Sequence, residues 1–106
     1  MIAETPIPPY FAVIFTSVRT EGDHGYAEMA ERMLDLARQQ DGFLGVESAR
    51  NEIGITVSYW QDLESIHKWH DHAEHTFARD KGRDTWYKCF KTRISIVQRD
   101  YGFERE

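Results

Sequence analysis

Apolar residues recur with two different periods along the chain, and the switches between them set out an order of elements. Residues 10–19 (YFAVIFTSVR) are dense in Phe, Val, Ile and Thr and are bounded by Pro9 and the polar stretch 20–25, which is the composition of a strand. From Tyr26 the period lengthens. Tyr26, Met29, Ala30, Met33, Leu34 and Ala37 recur at the i, i+3, i+4, i+7 spacing of one helix face. Asp23 stands where it can cap this helix, and Gly42 follows where a helix exit often needs a left-handed residue. Phe43–Arg50 and Gly54–Gln61 then predict two strands of a hairpin turning at 51–54. Asp62 and Ser65 mark the start of a second helix, on which Leu63, Ile66, Trp69, His70, Ala73 and Phe77 share one side. Gly82 weakens or ends that helix, and Trp86–Tyr87 lead into a last strand over roughly 88–101. The order β-α-β-β-α-β is the ferredoxin-like split βαβ plan: an α+β fold with a four-stranded antiparallel sheet. Residues 1–9 hold all three prolines and no period, and are expected to form a flexible N-terminal arm ahead of a single domain at 10–106.

Two helices can cover one face of such a sheet, and side chains alternate between its faces. The first strand is apolar on both. The uncovered face is expected to present Phe11, Val13, Phe15, Trp60 and Val97, mixed with Glu47, Thr56, Ser58 and Arg93. That mixture is too apolar for water and too polar for a dry core. The equivalent sheet of a second copy would cover it, with Glu47 free to pair with an arginine, so a homodimer is expected.

Composition narrows the classes further. With 13 Lys+Arg against 18 Asp+Glu, the chain lacks the clustered positive charge that nucleic-acid binding relies on, so no nucleic-acid partner is expected. The longest apolar run, Tyr10–Phe15, is far short of a membrane span, and no basic segment precedes it as in a secretory signal; a soluble cytoplasmic protein with no membrane partner is expected. Cys89 is the only cysteine, which excludes an internal disulfide; it reads as a buried, unreactive thiol.

Four of the five histidines crowd into residues 67–75 (HKWHDHAEH). His67, Asp71 and His75 line one strip of a continuous helix, but the spacing positions no third strong ligand. A solvated helix face is the favoured reading, and no metal site is expected. His70 falls on the apolar side and reads as a core histidine. Trp60, Trp69, Trp86 and Tyr87 surround the second helix. At least two of them are expected to be core alone, yet an aromatic-lined cavity is also what a flat ligand stacks in. Arg83 either neutralises the end of the helix or steadies an anion.

Several of these residues fall in a known order: GFLGVES at 42–48, ITVSYW at 55–60, Trp69, AEH at 73–75, Gly82-Arg83, Trp86-Tyr87 and RDYGF at 99–103. Over about residues 10–103 the chain resembles the antibiotic biosynthesis monooxygenase family, whose members form dimeric α+β barrels. The resemblance implies a cofactor-independent monooxygenase acting on an aromatic phenol or quinol with dioxygen; the alternative is a non-catalytic dimer that binds a small molecule in the same pocket. In many similar sequences the second helix breaks near the position of His72–Ala73. Nothing in this chain forces that break, since Ala73 is a good helix former; with it His75 would face the cleft as the base, and the other reading is a surface histidine. Trp69 and Trp60 would position the substrate, and Arg83 would steady its anion. In the haem-degrading branch of the family an iron-ligating histidine stands ten residues after the tryptophan at Trp69. Here Arg79 holds that position, and Phe15, Thr16 and Ser17 supply no counterpart to that branch's asparagine, so no haem and no other cofactor is expected.

Overall fold

The computed structural model describes every residue but Lys81, and every side chain outside residues 77–83. Its elements are β1 (Tyr10–Arg19), α1 (Tyr26–Arg38), β2 (Phe43–Arg50), β3 (Gly54–Trp60), α2 (Leu63–Asp80), a short α3 (Gly82–Trp86) and β4 (Tyr87–Val97). The strands pair antiparallel in the order β2-β3-β1-β4, which is the ferredoxin-like arrangement with α3 inserted before β4. No described helix is long and apolar enough to cross a membrane.

The helix starts are held by the side chains that the pattern singled out. The Asp23 carboxylate accepts from the backbone N–H of Gly25 at 3.0 Å and of Ala27 at 3.1 Å, satisfying two donors that the first turn of α1 leaves open. The Asp62 carboxylate accepts from the Ser65 N–H at 2.8 Å, and this bond holds the Asp62 carboxyl below the usual carboxylate range. Gly42 sits at φ +85°, and a Cβ there would lie 2.1 Å from Ser65 Oγ. The turn between α1 and β2 therefore needs glycine for both its dihedral and its space.

Cross-strand register decides which side chains face the helices. Phe11 lies opposite Trp60 on β3 and Ile96 on β4, and Val13 lies opposite Ser58 and Ile94. Residues directly opposite share a face. Trp60 is 0% exposed, and its ring stacks on Trp69 of α2 at 6.1 Å between centroids. Phe11, Val13, Phe15, Thr56, Ser58 and Trp60 are therefore on the helix side, which corrects the expectation that they would lie uncovered. The face without helices carries the other set: Ala12, Ile14, Val18, Ile55, Val57, Tyr59 and Val97, with Glu47 and Arg93 among them.

The rotation of α2 departs from expectation in a related way. Ile66 and Thr76, 4% and 3% exposed, mark its inner stripe, with half-buried Trp69 and Ala73 between them. His70 lies off this stripe, its ring 3.7 Å from Asp71 and 3.8 Å from Glu74 with the side chain 63% exposed, so it is not a core histidine. Leu63 is turned outward beside it. Cys89 is exposed, not buried.

Both chain ends are tied to one end of the open face. The Ala3 N–H donates to Glu47 Oε2 at 2.9 Å, and the Tyr59 hydroxyl donates to Glu47 Oε1 at 2.8 Å. Thr5 donates to the Tyr10 oxygen at 2.9 Å, while the Tyr10 hydroxyl donates to the Asp100 carboxylate. β4 leaves the ladder after Val97, short of the expected Tyr101, and Asp100 takes the Tyr10 hydroxyl instead of continuing the strand.

Two outcomes follow from this packing. Trp60→Ala should destabilise the fold by about 3–5 kcal/mol in urea denaturation, because a fully enclosed indole leaves a cavity. Burial, followed by the bond to Glu47, pushes the Tyr59 phenol up to about 12. An unfolded tyrosine releases its proton near pH ~10. Stability should therefore fall as pH climbs from about 10 to about 12, and Tyr59→Phe should flatten that fall in melting curves taken across the interval.

Candidate functional site

On the helix side the sheet is covered unevenly. α1 packs toward β2 and α2 toward β3, while β4 forms the edge strand. Phe90, Ile94 and Ile96, on the helix side of β4, are 38%, 54% and 48% exposed. Beside them lie half-buried Phe11, Val13 and Phe15 of β1. The result is a shallow apolar groove along β1 and β4, beside α2 where that helix packs on β3.

An aromatic cluster stands at each end of this groove. At the end near the start of β1, Phe43 meets the edge of Trp60 at 5.4 Å, Trp60 stacks on Trp69, and Trp69 lies 5.9 Å from the His72 ring. The indole N–H of Trp60 donates to Ser58 Oγ at 2.9 Å, so that ring is immobilised behind Trp69 and out of reach of any ligand. At the other end Phe15 packs against Phe90 at 5.2 Å and Tyr87 at 5.6 Å, and Tyr87 meets the edge of Tyr26 at 5.8 Å. Trp86 is 5% exposed and donates its indole N–H to the His24 carbonyl at 2.8 Å, a core role that closes the β1–α1 loop. Of the four aromatics read from the sequence, Trp60 and Trp86 belong to the core, while Trp69 and Tyr87 are half-buried beside the groove.

Charge is arranged around the Tyr87 end in a way the sequence did not signal. The Arg19 guanidinium lies 3.4 Å from the centroid of the Tyr26 ring, with Arg50 on the same ring at 5.9 Å. Arg19 donates to the carbonyls of Trp86 and Gly22, and Arg50 donates to Ser17 Oγ at 2.5 Å. Among the described residues their hydrogen-bond partners are neutral oxygens, which leave the positive charge of both guanidinium groups uncompensated there. Burial, followed by a hydrogen bond with Tyr26, pushes the Tyr87 phenol above its ordinary value despite these cations. Tyr87 thus stays protonated and can donate a hydrogen bond, but it cannot serve as a base at neutral pH. Nothing in spacing or periodicity brings Arg19, Tyr26 and Arg50 together; the β1–α1 loop and the β2–β3 hairpin do.

The histidines fall on different sides of an unbroken helix. α2 runs without interruption from Leu63 to Asp80, so the break that would turn His75 inward is not present. At about 100° per residue His75 lies half a turn from Ile66 and is exposed, away from the groove. His72 is the histidine beside Trp69. His67 reaches Asp71 at 3.5 Å on the outer surface, and among the described residues no group of three ligands could hold a metal ion. The side chain of Arg83 lies outside the described residues, as does that of Arg79. Two further concave surfaces are present: an open groove of about 660 Å³ along Ile96–Tyr101, which adjoins the apolar groove at Ile96, and a cleft of about 240 Å³ between Gln40–Gly42 and Gln61–Lys68. Neither is lined by the aromatic clusters.

Comparison with known proteins places this geometry among relatives. A family model described as antibiotic biosynthesis monooxygenase matches residues 9–81. The uncharacterized protein YqjZ of Bacillus subtilis is 50% identical over 105 residues, covering 97% of this chain and 92% of its own. SnoaB of Streptomyces nogalater, a cofactor-independent oxygenase, superposes with a TM-score of 0.64 at 8% identity, over 92% of this chain and 100% of that one. A dimeric ferredoxin-like protein from an uncultured marine organism gives 0.62 at 15% identity, over 89% and 100%. At these identities the two solved structures speak to fold alone.

Proposed function

Since the chain belongs to the antibiotic biosynthesis monooxygenase family, we propose that it binds a flat aromatic phenol or quinol in the groove between α2 and β4 and passes its electrons to dioxygen. The observation that carries this reading is the Trp60–Trp69 stack. One ring is locked in the core and backs a second at the rim of an apolar strip left exposed on β4, so the Trp69 face is held at a fixed angle for stacking a planar ligand.

The chemistry suits such a groove. Removing a phenolic proton leaves an electron-rich anion that can itself reduce dioxygen. In oxidation of a ring CH2 to a quinone carbonyl, one oxygen atom enters the carbonyl and the other leaves as water, with all four electrons drawn from the substrate. The protein's tasks are to orient the ring, take the proton and exclude water. Trp69 orients, and Phe90, Ile94 and Ile96 supply the apolar floor. Arg19 and Arg50 bias the anionic end of the ligand toward Tyr26 and Tyr87. His72, beside Trp69, takes the role of base in place of His75. The open sheet face packs against the same face of a second copy, which removes Ile14, Val57 and Val97 from water.

Dithranol, a tricyclic phenol, serves as the probe. It should quench tryptophan fluorescence on binding, and the protein should accelerate oxygen uptake measured with an oxygen electrode. His72→Ala should slow uptake by roughly 100-fold with little change in melting temperature, while His75→Ala should leave it nearly intact. The reverse order would return the base to His75 and require α2 to open. Quenching with no uptake from any phenol would leave a binding dimer without catalysis.

A further inference from the structure

One row on the helix side runs straight across all four strands. Arg50 of β2 lies opposite Gly54 of β3, Gly54 opposite Ser17 of β1, and Ser17 opposite Phe90 of β4. The Arg50 side chain follows this row. A Cβ at Gly54 would stand 2.1 Å from its Cζ, so the bare backbone of Gly54 is what lets the guanidinium cross β3. It ends at Ser17, where Nη2 donates to the Oγ at 2.5 Å and Nη1 to the carbonyl at 3.4 Å. Two residues further along β1, Arg19 donates from Nε to the Trp86 carbonyl at 2.9 Å and from Nη2 to the carbonyls of Gly22 and Asp23. Both cations border the one Tyr26 ring.

What those bonds leave open suits an anion. Among the described residues no carboxylate stands in ion-pair range of either arginine. Arg19 keeps both protons of Nη1, and Arg50 keeps its Nε–H and one proton on each Nη. Two like charges brought to one ring repel until a group of opposite sign joins them. Arg50 is exposed and Phe90 is 38% exposed, so the place is open to solvent, while Phe15, Tyr26 and Tyr87 beside it are half-buried. A hydrated inorganic anion gains nothing from these rings. A carboxylate on an aromatic ring gains twice: its two oxygens match a guanidinium fork, and its ring meets Phe15 and Phe90, whose centroids lie 5.2 Å apart. Resting on the reading that the groove takes a flat aromatic, we infer that its Tyr87 end is a carboxylate subsite and that the substrate is an extended aromatic acid, its carboxylate held by Arg19 and Arg50. The row of Phe11 and Trp60 and the row of Ser17 and Gly54 are six residues apart on β1, roughly 20 Å. The part of the ligand that stacks on Trp69 and the acid therefore lie at opposite ends of it. A bicyclic acid is too short to touch both and reports on the arginines alone.

A matched pair of probes, 2-naphthoate and its neutral amide 2-naphthamide, tests the subsite by isothermal titration calorimetry. The wild-type protein should bind the acid about 10-fold or more tighter than the amide. Arg50→Gln removes one cation, whereas Gly54→Ala keeps every charge and sets a methyl group where the guanidinium passes. Each should bring acid and amide to about equal affinity while leaving the affinity for the amide unchanged. Equal binding of the two probes by the wild-type protein, or a preference for the acid that survives in both variants, would overturn the subsite. Should one variant fail to fold in circular dichroism, the other variant and the wild-type comparison still decide. Failure of both naphthyl probes while dithranol still quenches tryptophan fluorescence would also overturn it. Failure of all three would instead remove the groove reading beneath it.

Discussion

A four-stranded sheet has two faces, and this chain supplies helices for only one of them while writing apolar residues on both. Most of the architecture answers that shortage of cover. α1 and α2 close over β2, β3 and part of β1, which seals Trp60 completely. The edge strand β4 is left exposed even on the helix side, and the opposite face is left without a helix altogether. The first deficit leaves an apolar strip along β4; the second leaves apolar side chains on a face without a helix. Both exposed apolar surfaces thus arise from the same imbalance between sheet area and helix area.

The Trp60–Trp69 contact joins these consequences to the core. Trp60 is fixed from four directions: by Phe11 beside it on β1, by Phe43 edge-on, by Ser58 at its N–H and by Trp69 across its face. Because its ring cannot move, the plane of Trp69 is set by the sheet and not by α2 alone. A stacking surface held this way loses little conformational freedom when a ligand arrives.

Element order could be read from periodicity because local chemistry and global fold agree there. Pro9, Asp23, Gly42 and Asp62 each stand at a boundary for a physical reason, and β1, α1 and β2 begin where the pattern placed them. The phase of the sheet could not be read the same way. β1 alternates Phe11, Val13 and Phe15 with Ala12, Ile14 and Val18, so neither set marks itself as the inner one. The assignment is made by a contact distant in sequence, Trp60 with Trp69. The rotation of α2 was hidden for a similar reason. Its inner stripe includes Thr76, whose hydroxyl is satisfied by the His72 carbonyl at 3.0 Å, so a polar residue sits inside at no cost in unmet hydrogen bonds. Counting only apolar positions pulls the predicted stripe toward Leu63 and His70, which the structure turns outward.

That rotation also constrains the chemistry. A base in the groove must exchange a proton near neutral pH; burial holds Tyr87 protonated, and Tyr59 lies on the other face of the sheet. Of the acids on α2, Asp71 and Glu74 stand within ion-pair range of His70, on the outward side. His24 belongs to the β1–α1 loop, where its carbonyl receives the Trp86 indole, and His67 reaches Asp71 on the outer surface. His75 lies across the helix axis from Ile66. Among the described side chains, His72 is the histidine next to an aromatic ring of the groove, tilted 30° from the plane of Trp69. A planar phenol stacked on that indole would lie beside an imidazole that needs no helix break to reach it.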